Sequence, residues 1–176
     1  VNTLLMQLFT LFSYVMDGFA FASEALSGRH IGAQNLQAYR TTVRRLFGWG
    51  GVMAVLFTLV YALGGNAFLG MLTDDTQVIA AAADYFPWAV AIPAAGIAAF
   101  IWDGVFIGAT ATRPMLLSMA VAAACFFAVY FGLRPIMGNH ALWLAFLLYL
   151  LMRGLVQTWL GRSVELKKFG LSGRQR

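Results

Sequence analysis

The chain has 176 residues, 61% of them hydrophobic and only 11% charged, with a mean hydropathy of +0.76; ordinary soluble domains are roughly half apolar and a quarter charged. A soluble globular domain, which could not hide so much apolar surface, is therefore excluded, and an all-α integral membrane protein is expected. The formal charge of +5 would point to nucleic acid in a soluble protein, but here its distribution reads as membrane topology, so no nucleic-acid partner is expected.

Five stretches reach the roughly 20 residues needed to cross a hydrocarbon core about 30 Å thick: 2–28, 46–72, 84–111, 115–134 and 141–163. The intervening loops are short or polar. The chain opens without Met inside the first hydrophobic stretch, and no signal-peptide pattern precedes it, which reads as a fragment with sequence missing upstream.

In the first span, Asp17 and Glu24 are seven residues apart and point almost the same way, two turns apart on one helix face. Thr10, Ser13, Ala20, Ser27 and Gly28 share that sector, while Leu8, Phe12, Val15, Phe19 and Leu26 cover the opposite one. If the apolar side faces lipid, the polar side must face other helices or a water-filled cavity. An ionisable group at membrane depth costs roughly 2.5–3.5 kcal/mol even on lenient insertion scales.

The first loop carries Arg29, Arg40, Arg44 and Arg45, and QNLQAYRTTVRRLF is expected to lie partly helical along the interface. Its arginines read as a topology anchor, with recognition of anionic lipid as the alternative. The second span holds Gly48, Gly50, Gly51, Gly64 and Gly65, small residues that let helices pack closely in lipid. Trp49 and Tyr61 are candidate interfacial anchors, and no chemistry is assigned to this span.

The third span places Pro87 near its first turn, where it is tolerated, and Pro93 inside, where a kink or local unwinding is expected. Gly96 and Ala99 line the face leading to Asp103, and Gly104 and Gly108 repeat the spacing of Gly28 and Gly32. The fourth span carries no charge over residues 115–133 and reads as lipid-facing. The fifth aligns Tyr149, Arg153 and Gln157 on one face, four residues apart. A structural ion pair of Arg153 with Asp103 or Glu24 is the leading reading; snorkelling and substrate contact are the alternatives.

Ten of the twelve basic residues lie in odd-numbered loops or the tail: the four above, Arg113, Arg162, Lys167, Lys168, Arg174 and Arg176. Only Arg134 lies in an even-numbered loop. This bias puts the first and third loops and the C-terminus on the cytoplasmic side.

Little enzymatic chemistry is available. Cys125 is the one cysteine, so no disulfide forms within the chain, and His30 and His140, each without a His or Cys neighbour, fall on opposite sides of the bilayer, so no metal site is expected. An intramembrane serine protease would need a histidine at depth, and an aspartyl dyad of Asp17 and Asp103 has nothing else to recommend it. Carboxylates on two helices do suit the binding of cations and protons, and the chain is not expected to be an enzyme.

DGFAFASEALSGRHIGA followed by a basic loop, and WDGVFIGATATRPM at the end of a proline-bearing helix, resemble the multidrug and toxic compound extrusion (MATE) transporters, specifically their DNA-damage-inducible F-like branch. The resemblance runs from about residue 1 to 168. It implies a partial C-terminal lobe over 1–168, corresponding to helices 8–12 of a twelve-helix, two-lobe transporter, with a basic cytoplasmic tail at 169–176. The resemblance further implies a multi-pass protein of the inner (plasma) membrane that exports small organic, often cationic compounds in exchange for H⁺ or Na⁺. No cofactor is needed beyond the coupling ion, and the partners are the bilayer and the missing N-terminal lobe.

In that reading Asp17, Glu24 and Asp103 bind substrate or coupling ion, with Arg153 as ion-pair partner. Ser13, Phe21, Trp102, Phe106, Tyr149 and Gln157 are the cavity-lining candidates. A lipid-linked sugar flippase of the same superfamily and a non-transporting truncated membrane protein are the alternative readings.

Overall fold

The structure, a computed structural model, describes residues 1–171. It is a bundle of six helices: α1 (Asn2–Gly32), α2 (Leu36–Leu72), α3 (Thr76–Ala83), α4 (Phe86–Gly108), α5 (Thr112–Met137) and α6 (Asn139–Lys168). All but the eight-residue α3 are long and apolar enough to cross a membrane.

The bundle is built around α4. Its alanines, glycines and β-branched residues bury Ala89, Ile92, Pro93, Ala95, Gly96, Ala99 and Ile101 in succession, and neighbours close in from three sides. On α1, the Ala20 and Glu24 carbonyls abut Gly104 and Gly108, and Gly108 O in turn lies 3.2 Å from where a Gly28 Cβ would stand. On α2, Gly50 meets the side chain of Ile101 and Gly65 that of Phe86. On α6, Gly154 meets Ala98 and Gly161 meets the Trp102 ring. Without a hydrophobic force between helices in lipid, such close backbone approach supplies the packing energy. Gly32, grouped with Gly28 by its spacing, has nothing within 4 Å of its Cβ position.

Several expectations are corrected. The apolar side of α1 is not uniformly outward: Leu8 and Phe12 are buried, the Phe12 ring packing edge-on to Phe57 and Phe100, while Leu26 nearer the other end is exposed. Covering α4 needs bulk and shape on that face, and the polar row is turned toward a cavity. The segment expected along the interface is the first part of α2. Asn35 caps it, accepting from Ala38 N–H at 3.0 Å, and no helix breaker separates it from the span.

Residues 76–83 form a separate short helix, capped by Asp75, which accepts from the N–H groups of Gln77 and Val78. The helix of the third span continues through Pro93 without an unwound turn. The fourth loop shrinks to one residue, Gly138, whose φ of +55° suits glycine. In α5 only Ser118 and Ala122 are buried among the described residues, which fits an outward-facing helix.

Tyr61 is no interfacial anchor but a buried strut. Its hydroxyl donates to the Leu8 carbonyl at 2.7 Å, tying α2 to α1. Tyr61→Phe is expected to lower stability by about 1 kcal/mol, read as a lower thermal midpoint of the detergent-purified protein.

Polar contacts mark the two poles of the bundle. At one, His30 bonds Thr42 at 3.0 Å, Arg40 pairs with Glu165, and Lys168 Nζ donates to Thr110 Oγ1 at 2.9 Å. At the other, Asn2 and Asn139 exchange hydrogen bonds of 2.8 Å, and Trp88 Nε1 donates to His140 Nδ1 at 3.0 Å. The first loop, the third loop and the end of α6 thus share a pole, the grouping their basic residues call for. Arg174 and Arg176 lie outside the described residues.

Candidate functional site

A cavity of about 440 Å³ opens where α1, α4, α5 and α6 meet. Two of its walls carry the three acidic residues singled out in the sequence: Asp17 and Glu24 from α1, and Asp103 from α4. The seven-residue interval aligns the first two along one edge. The close approach at Gly104, which also borders the cavity, brings Asp103 to the opposite wall.

The three carboxylates are not equivalent. Asp103 accepts from Gln157 Nε2 at 2.7 Å and is paired with the Arg153 guanidinium. Arg153 and Gln157 stand one turn apart on α6 and reach the same carboxylate, so their spacing is the device that clamps it. The Asp103 and Arg153 side chains are each 16% exposed, and Gln157 is fully buried. Gln157 Oε1 and Arg153 Nε have no hydrogen-bond partner among the described residues.

Asp17 and Glu24, by contrast, have neither a hydrogen-bond nor an ion-pair partner for their carboxylates among the described residues. With every group ionised, three carboxylates against one guanidinium leave the cavity two negative charges, both on α1.

Of the proposed lining residues, Ser13 and Phe21 border this cavity, Phe21 at 70% exposure. Arg153 borders it too. The others are placed elsewhere. The Trp102 ring lies over Gly161 and its Nε1 donates to Thr158 Oγ1 at 2.8 Å. Phe106 is fully buried in the core. Tyr149 lines a separate apolar groove with Phe126 and Phe127, between α5 and α6. Gln157 supports Asp103 without bordering the cavity.

Sequence reasoning missed Phe9 and Phe100, which complete the apolar wall. Phe9 was legible: Phe9, Ser13, Asp17 and Phe21 form an unbroken row at intervals of four. Phe100, three residues before Asp103, could have been found the same way. Among the described residues no group of three or more His, Cys, Asp or Glu side chains is placed to hold a metal ion.

Five helices long and apolar enough to span a membrane, four of them bordering a partly charged cavity, define a multi-pass membrane protein. More narrowly, the chain belongs to the MatE family, whose model matches residues 2–132. It is 43% identical to the DNA damage-inducible protein F of Escherichia coli (strain K12) over 159 residues, 88% of this chain. The match covers 34% of that relative, so the chain spans about a third of its length. No solved structure matches the chain.

Proposed function

We propose that the chain is most of the C-terminal lobe of a secondary active efflux transporter, which exports small organic, often cationic compounds in exchange for H⁺ or Na⁺ by alternating access. The observation that carries this reading is the division of labour among the three carboxylates around one cavity. Asp103 is neutralised in place by Arg153 and held by a hydrogen bond from Gln157, while Asp17 and Glu24 have no cation partner among the described residues. A carboxylate at membrane depth without a partner is costly. It is relieved by a proton, a metal cation or a cationic substrate, so these compete for the same two groups.

Phe9, Phe21 and Phe100 supply the apolar contact an organic cation needs. In this reading an N-terminal lobe of the same protein closes the far side of the cavity, the protein sits in the plasma membrane, and the pole bearing Arg40, Arg113 and Lys168 is cytoplasmic. The flippase alternative would favour several basic residues in the cavity. Among the described residues Arg153 is the one basic side chain bordering it, and Asp103 already engages it.

The test is export of a fluorescent organic cation by the full-length protein carrying this chain. Asp17→Asn and Glu24→Gln are each expected to reduce export at least about tenfold, equivalent to losing about 1.4 kcal/mol of cation binding. If these variants and Asp103→Asn all pump like the parent, the carboxylate mechanism is wrong. A parent that exports nothing under an imposed H⁺ or Na⁺ gradient overturns the transporter reading itself.

A further inference from the structure

The pole bearing the first loop carries a second concavity, which shares no lining residue with the carboxylate cavity. Of about 430 Å³, it is walled by the turn at Thr110 and Ala111, the first turn of α5 and the last turns of α6. Three cations line it: Arg113 from α5, and Lys167 and Lys168 from α6. Among the described residues no carboxylate does. The nearest acidic residue along α6, Glu165, is engaged by Arg40.

Among the described residues the Lys168 ammonium meets only the neutral Thr110 hydroxyl, and the side chains of Arg113 and Lys167 have no hydrogen-bond or ion-pair partner. Three like charges converging on one hollow repel one another unless an anion joins them. The backbone adds donors on the same side. The α5 N-terminus has no side-chain cap, and Pro114 in its first turn brings no N–H of its own. The amides of Thr112 and Arg113 therefore remain as unused donors at the positive end of the helix dipole. Lysines in the last turn of α6 would complement that helix's own dipole. That role explains neither Arg113 nor the hollow between them.

We propose that this concavity binds a phosphate group, and that the form reaching it is the headgroup of an anionic phospholipid. The site lies at the end of membrane-spanning helices, at the pole where basic residues concentrate. Anionic headgroups accumulate where such residues meet the bilayer surface. Arg113 supplies a planar donor fork for phosphate oxygens, the two lysines supply point charges, and the Thr112 hydroxyl adds a neutral donor, that of Thr110 being committed to the Ala109 carbonyl.

The experiment measures lipid retained by the full-length protein in detergent, by native mass spectrometry, with dioleoylphosphatidylglycerol against dioleoylphosphatidylcholine. The parent is expected to prefer phosphatidylglycerol. The triple substitution Arg113→Gln, Lys167→Gln, Lys168→Gln is expected to weaken that binding at least about tenfold, since each juxtamembrane cation contributes about fivefold in affinity. Charge-preserving Arg113→Lys, Lys167→Arg, Lys168→Arg should keep most of it, which separates loss of charge from loss of fold.

Removing three other exposed cations, by Arg44→Gln, Arg45→Gln and Arg162→Gln, should leave the preference intact. In a parallel arm, protection of the parent against thermal unfolding by inorganic phosphate alone, lost in the triple variant, would support the phosphate site and assign it a soluble occupant. The proposal is overturned if the triple variant binds phosphatidylglycerol and phosphate like the parent. It is equally overturned if the Arg44, Arg45 and Arg162 set loses as much, because the effect would then be surface charge alone.

Discussion

Gly104→Leu is expected to prevent assembly of the bundle, so that the full-length protein fails to accumulate or elutes as aggregate on size exclusion in detergent. At this position even a Cβ would run into the Ala20 carbonyl oxygen, and it would lie 2.8 Å from Ser23 Cβ. The obstacle is backbone, so no side chain can swing aside. Inserting bulk into a close-packed core typically costs about 1–3 kcal/mol, and here the relief must come from moving a whole helix, so about 3 kcal/mol or more is expected. That is a large share of a total stability of about 5–15 kcal/mol.

The effect should be graded. Gly104→Ala, which adds only the clashing carbon, should lower the thermal midpoint without abolishing folding. Gly108→Leu should behave like Gly104→Leu, because its Cβ would meet the Glu24 carbonyl one turn further on. Gly32→Leu should be tolerated within this bundle, since its Cβ position is open. Equal harm from Gly32→Leu and Gly104→Leu would show that glycine flexibility, and not the α1–α4 approach, is what matters. The same contact sets the width of the cavity, so Gly104→Ala should also impair export beyond its effect on protein level.

That contrast also shows where the sequence was informative. The number of spans, the shared pole of the basic loops and the alignment of Asp17 with Glu24 follow from hydropathy and the period of the helix, both local properties; the eight-residue α3, too short for a hydropathy signal of its own, did not. The pairing of Arg153 with Asp103 was accessible because a guanidinium at depth has so few acceptable partners. What local reasoning could not supply was which helix lies at the centre. The first span draws attention through its charges, yet α4 is the hub, because alanine and glycine mark a helix as approachable only once its neighbours are known.

Gly28 and Gly32 look alike in sequence, and only the crossing point of α1 and α4 separates them. The same holds for the aromatics. Trp102 precedes Asp103 directly, so it points about 100° away around the helix and covers Gly161 instead of the cavity, whereas Phe100 turns toward it. Tyr61 misled for a different reason. Its hydroxyl suits a membrane interface as well as it suits a buried carbonyl, and the choice was made by Leu8 on another helix.

The Arg153–Asp103 pair should reveal itself by non-additivity. Arg153→Met is expected to destabilise the full-length protein by about 3 kcal/mol, because it leaves a carboxylate at membrane depth with Gln157 as its one remaining partner. The lower end of the range for breaking a buried pair applies, since each side chain retains 16% exposure to the cavity. Asp103→Asn should cost less, as an amide oxygen still accepts from the guanidinium or from Gln157.

Combining Arg153→Met with Asp103→Asn should restore part of what Arg153→Met alone removes, since no unpaired carboxylate then remains. In a double-mutant cycle read by thermal unfolding in detergent, the coupling should exceed about 1 kcal/mol; additivity within about 0.5 kcal/mol would mean the two groups do not interact. The cycle bears on transport too. If Arg153 serves as a built-in counter-cation, its removal hands Asp103 to the exported or coupling cation, and Arg153→Met should alter the ion dependence of export while the double variant returns it toward that of the parent. Gln157→Leu provides the control: it removes an uncharged donor whose hydrogen bond is to a carboxylate, so it should lower stability by about 1.5–3 kcal/mol without changing any charge, and leave the ion dependence where it was.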